Sequence, residues 1–111
     1  MPPVPVIELS GDLVAANHAE RERAVAPMLR AHGPGLVLDL ADVGFAGSVG
    51  LSWFVYLGKA LSEQGRALAL ARPSRVVDRT LRVVGIDDVI PIFRTVAEAQ
   101  SWVAGHQRGE L

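Results

Sequence analysis

Few residues in this 111-residue chain have the types and spacing that could do chemistry. It contains no cysteine, which removes thiol nucleophiles, thiolate metal sites and disulfide frameworks together. His18, His32 and His106 are far apart and lack a ligand pattern such as His-Glu-x-x-His, so they read as surface or terminal side chains. Asp87 and Asp88 are adjacent in a loop after Gly85, where paired carboxylates serve solvation or capping. No Ser-His-acid triad follows from such spacing, because a triad is defined by geometry. Gly47-Ser48-Val49-Gly50 sets glycines around a serine at a strand-to-helix turn but lacks the Gly-Lys-Ser/Thr ending of a phosphate-binding loop. The expectation is a non-enzyme that holds no metal and no cofactor.

What remains is Ser48. A serine at the start of a helix presents its hydroxyl where backbone N–H groups point outward and the helix dipole is positive. One use of such a serine is as an N-cap, worth about 1 kcal/mol. The other is contact or modification: a phosphate would be tolerated there and would add about −1.5 to −2 charges, repelling a partner that desolvates the turn. Beyond it, Trp53 and Tyr56 lie three apart on a different side of the helix from Leu51, Val55 and Leu61. They are expected to form an exposed aromatic strip, the residue class enriched at interface centres. Arg75, Arg79 and Arg82 share one helical face that is either solvated or opposed to an acidic surface.

The elements that must position these residues alternate between two periods. Val4 to Leu9 reads as an edge strand ended by Ser10-Gly11-Asp12. Asn17 and Glu20 resemble a capping box, opening a helix that Pro27 should kink or shorten and whose charges, Glu20 to Arg23, form a solvated face. Leu36 to Leu40 is almost continuously apolar, as in a central parallel strand. A helix follows from Ser48, with Leu51, Phe54, Val55, Gly58 and Leu61 at helical spacing and Gly65 at its end. Ala67 to Ala71 is a buried strand, and Pro73-Ser74 opens a helix with Val77, Leu81 and Val84 inward. Val89 to Phe93 is a short strand, and Thr95 to Glu98 is a capping box for a terminal helix burying Ala99, Trp102 and Val103. Helices between strands imply right-handed crossovers and a mostly parallel sheet. One domain over residues 1–105 with a frayed tail over 106–111 is expected, with no linker or repeat.

Eleven basic against twelve acidic residues, net −1, exert no pull on nucleic acid or an anionic membrane surface. The start, Met1-Pro-Pro-Val-Pro-Val, lacks the features of a secretory or transit peptide. The longest apolar stretch, Val49 to Gly58, is far short of the roughly 20 residues needed to span a bilayer. A cytoplasmic protein is expected.

Val37-Leu38-Asp39-Leu40-Ala41-Asp42-Val43-Gly44-Phe45 followed by Ala46-Gly47-Ser48-Val49-Gly50-Leu51 resembles the signature of STAS domains, the fold of anti-sigma factor antagonists. Ser10-Gly11-Asp12-Leu13 is similar to the family's early turn, and the later elements fall in step, so nearly the whole chain is covered. The resemblance implies a STAS-type mixed, mostly parallel sheet of about four to five strands with about four helices packed on it. It also implies binding to an anti-sigma factor of the serine kinase type, with ATP and Mg²⁺ held by the partner. Ser48 takes the position that the kinase phosphorylates, and Gly47, Ser48, Val49, Gly50, Trp53 and Tyr56 become the partner-binding set. Gly47 stands where the family carries an acidic residue, Val49 where it carries a second hydroxyl, and Val14 where a further acid is frequent. The chain begins too late for the family's full first hairpin, so the sheet is expected to be one strand short. The alternative is a constitutive STAS scaffold subunit, for instance of a lipid-transporting ABC ATPase.

Overall fold

The computed structural model describes residues 4–109. Four strands, β1 (Val6–Leu13), β2 (Gly35–Ala46), β3 (Ala67–Ala71) and β4 (Ile92–Phe93), form one sheet in the order β1-β2-β3-β4, every neighbouring pair parallel. Between them run α1 (His18–Arg30), α2 (Ser48–Ser62) and α3 (Arg75–Val83), and α4 (Val96–Gly109) follows β4. The central place of Leu36 to Leu40 and the mostly parallel sheet agree with the sequence reading.

The two faces of the sheet divide the core. Leu36, Leu38, Leu40, Leu68 and Leu70 pack with Val25 of α1, Phe54, Leu57 and Leu61 of α2, and Val77 and Leu81 of α3. The alternate side chains Val37, Ala69 and Ala71 pack with Ala99 and Val103 of α4. Small alanines on β3 let that single helix lie close. With both faces covered, the central strands have no polar side to alternate with, hence their continuous apolar runs. β2 and β3 approach so closely at the start of β2 that a Cβ on Gly35 would coincide with the Ala67 carbonyl.

Several local expectations are corrected. Ser10-Gly11-Asp12 does not end β1; two irregularities in its register absorb the glycine, and pairing with β2 continues to Leu13↔Ala46. Asn17 caps nothing with its side chain. Instead it donates to the Asp12 carbonyl at 3.1 Å and accepts from Arg21 at 2.6 Å. That draws Arg21 out of the expected solvated face: it is buried and also donates to the Val14 carbonyl. Pro27 lies on the exposed side of α1, where water can satisfy the carbonyl it leaves unpaired, and the helix runs on to Arg30. Val55 and Val84 point to solvent, because Gly50, Phe54, Leu57 and Leu61 form the core line of α2 and α3 ends at Val83, before Val84. The last strand is shorter than expected: the N–H groups of Val89 and Ile90 bond back to the Ile86 carbonyl, and pairing with β3 begins at Ile92. The terminal helix passes Gly105 and reaches Gly109, and the remainder of the expected tail lies outside the described residues.

Candidate functional site

Parallel strands put every strand-to-helix junction at one edge of the sheet, and two of these junctions carry polar chemistry. After β2, Gly47 is extended (φ −85°, ψ −179°) and takes the N-cap position of α2, so Ser48 is the first residue inside the helix. The glycine's own N–H donates to the Leu13 carbonyl at 3.0 Å, and its carbonyl accepts from Leu51 at 3.0 Å. The turn is thereby tied to the end of β1. Gly50 makes the same join from the side: a Cβ there would stand 2.6 Å from Leu13 Cβ, so only glycine lets α2 lie against β1.

Ser48 is exposed and does not act as the N-cap, which removes the capping role that the sequence left open. The first turn of α2 has no acidic residue, so its free N–H groups meet no carboxylate of the helix itself. A shallow concavity of about 390 Å³ beside the hydroxyl is lined by His18, Val49, Ser52, Trp53 and Tyr56. A second hollow of about 340 Å³ follows along the seam of α1 and α2, sharing Trp53 and Tyr56 and rimmed by Glu22, Arg23 and Arg30.

The expected aromatic strip is half present. Tyr56 is 57% exposed, whereas Trp53 is only 4% exposed. Trp53 is turned into the seam with α1, where the His18 ring meets it edge-on at 5.5 Å and Phe54 stacks at 6.0 Å. The reason is lateral: α2 has α1 beside it as well as the sheet beneath it, so its apolar arc is wider than a single stripe. The indole Nε1 and His18 Nδ1 are buried without a hydrogen-bond partner among the described residues. Of the six partner-binding candidates, then, Ser48 and Tyr56 are exposed, Gly47 and Val49 are half-buried, and Gly50 and Trp53 lie beneath the surface. His18 and Ser52 were missed; Ser52 was legible as one helical turn beyond Ser48, whereas the place of His18 depends on how α1 packs.

The second junction follows β3. Asp39 on β2 is buried, and Arg72 grips it from both guanidinium arms, Nε to Oδ1 at 3.1 Å and the terminal nitrogen to Oδ2 at 2.7 Å. The Ala41 N–H adds a third bond. The Arg72 contact outweighs burial and holds the Asp39 carboxyl below the usual carboxylate range, while Asp39 pushes the guanidinium of Arg72 higher still. Arg72 reaches this position in a left-handed backbone conformation, φ 57°, rare for a residue with a side chain. Two residues on, the Ser74 hydroxyl accepts from the Val77 N–H and caps α3. The sequence signal for the pair was an acid inside an apolar strand, which has to find a partner.

Residues 2–99 match the model of the STAS domain. The chain belongs to the STAS domain family. RsfB, an anti-sigma-F factor antagonist of Mycobacterium tuberculosis, is 28% identical over 102 residues, 92% of this chain and 83% of that protein. The crystal structure of an anti-sigma factor antagonist from Mycobacterium paratuberculosis is similar with a TM-score of 0.80 and 26% identity, covering 88% of this chain and 83% of that one. The anti-sigma factor antagonist SpoIIAA shares the fold at a TM-score of 0.74 and 20% identity, over 95% and 92% of the two chains. This STAS chain therefore resembles anti-sigma factor antagonists in sequence and in fold. No helix among the described residues is long and apolar enough to cross a membrane.

Proposed function

We propose that this STAS domain is a cytoplasmic, non-enzymatic anti-sigma factor antagonist. It binds a kinase-type anti-sigma factor through the Ser48 turn and is released when that kinase, using its own ATP, phosphorylates Ser48. The observation that carries the reading is the state of the serine: exposed, one residue inside α2, and without a capping role. Its hydroxyl serves no evident structural purpose, so it stays available to a partner.

A phosphate on Ser48 would sit against the unpaired N–H groups of the first turn, where the helix dipole favours negative charge. It would not unfold the turn, but it would place a dianion on the rim of the concavity shared by His18, Ser52 and Tyr56. A partner group seated there without its water would be expelled by that charge. The contact surface on this reading is Gly47, Ser48, Val49 and Tyr56, with Gly50 and Trp53 shaping it from below.

Gly47 and Val49 favour a second reading, the constitutive scaffold, because the acidic and hydroxyl flanks of the usual switch are missing. Calorimetric titration of a cognate kinase-type anti-sigma factor separates the two. Antagonism predicts tight binding by the wild type and by Ser48→Ala, and at least about tenfold weaker binding by Ser48→Asp. Equal affinity of all three would leave a scaffold without a switch, and binding by none would remove the anti-sigma factor as partner.

A further inference from the structure

A second exposed region stands apart from the Ser48 turn, on the outer face of α3. Of the seven exposed large apolar side chains among the described residues, four are valines between Val76 and Val89. Five of the chain's eleven basic residues lie between Arg72 and Arg94. Two of the five are neutralised within the molecule: Arg72 by Asp39, and Arg82 by Asp78 at 3.0 Å and Asp87 at 3.6 Å. Arg75, Arg79 and Arg94 have no carboxylate partner among the described residues.

These residues are ordered. Val77 and Leu81 bury the inner side of α3. At 3.6 residues per turn, Arg75, Arg79 and Arg82 fall on one outward stripe, and Val76 and Val83 on the stripe beside it. On the basic side the surface is concave: a cleft of about 350 Å³ between α3 and β4 is lined by Arg75, Arg94 and Phe93 together with the Asp78–Arg82 pair. Here, in a chain of net charge −1, unpaired positive charge and exposed apolar surface coincide.

We infer that the outer face of α3 is a docking surface for an acidic amphipathic helix of a partner protein. The apolar side of that helix would cover Val76 and Val83, and its carboxylates would pair with Arg75, Arg79 and Arg94. Charge complementarity selects this occupant, because a guanidinium fork matches a carboxylate in geometry as well as in sign. An anionic membrane fits less well: the apolar stripe is made of short valines with no aromatic anchor. The inference does not rest on the Ser48 reading.

The test uses the whole chain labelled with ¹⁵N, titrated with a synthetic helical peptide carrying leucine and glutamate on adjoining stripes. Controls are a scrambled peptide of the same composition and vesicles of phosphatidylserine and phosphatidylcholine. The inference predicts saturable amide shifts confined to the α3 face and the Arg94 region, weakened at least about tenfold by the exposed double change Arg75→Glu, Arg79→Glu and unaffected by Ser48→Asp. Because both arginines are exposed, an unaltered spectrum of the free double variant shows that its fold is kept. Absence of saturable shifts, equal binding of the scrambled peptide, equal binding by the double variant, or preferential binding of vesicles would each overturn it. Loss of binding in Ser48→Asp would place the peptide on the other surface and overturn it as well.

Discussion

Ser48 and Ser74 occupy equivalent places in the topology, each just after a buried parallel strand and at the head of a helix, yet they are used in opposite ways. Ser74 is the N-cap of α3 and spends its hydroxyl on the Val77 N–H, next to an arginine locked onto a buried carboxylate. Ser48 sits one residue further in, behind a glycine that caps α2 without a side chain. One junction is closed by its own polar groups. The other is fixed through its backbone, by Leu13 and Gly50, and leaves its hydroxyl free. A shift of one residue relative to the helix start therefore separates a serine that holds the fold from one that can be addressed without disturbing it.

Substitutions at the two junctions should sharpen that contrast, and the largest effect belongs to the backbone fit. Gly50→Ala forces a methyl group against Leu13 and should cost about 2–3 kcal/mol in urea unfolding; a cost below about 0.5 kcal/mol would mean that α2 is not held to β1 there. Next comes the closed junction. Asp39 is buried with its carboxyl held low, so the stability it contributes is complete above the unfolded carboxylate value of about 3.9 and is lost as pH falls through the lower folded value. Asp39→Asn should thus lower the melting temperature most at neutral pH and differ less and less from the wild type in acid; a constant difference would argue that the ion pair is not the cause. Ser74→Ala should cost about 1 kcal/mol through loss of the cap. The smallest effect is expected at Ser48→Ala, within about 0.5 kcal/mol of the wild type, as for a surface position free of special features. If the two serine changes cost the same, the contrast between the junctions fails.

Much of this was legible in the sequence, for reasons that differ from residue to residue. Continuous apolar runs at Leu36 to Leu40 and Ala67 to Ala71 read as strands covered on both sides. Thr95 and Glu98 announced the start of α4, where the Thr95 hydroxyl does accept from the Glu98 N–H at 3.1 Å. Properties that depend on lateral neighbours were hidden. Trp53 and Tyr56 look alike in a helical projection, and only the presence of α1 on one side buries the first and leaves the second exposed. Arg21 looks like one charge in a solvated run until Asn17 and the Val14 carbonyl are folded over it. The N-cap of α2 was misplaced by one residue, and that residue decides whether the Ser48 hydroxyl is spent on capping the helix.

Whether Ser48 is left open for a partner to modify is decided by site-resolved mass spectrometry. The chain is incubated with its kinase-type anti-sigma factor and ATP, and the modified residues are mapped alongside the Ser48→Ala variant. The expected result is a single phosphate, on Ser48, absent from the variant, with Ser74 unmodified. A chain that remains unmodified while bound to an active kinase, or one phosphorylated equally well in the variant, would contradict it.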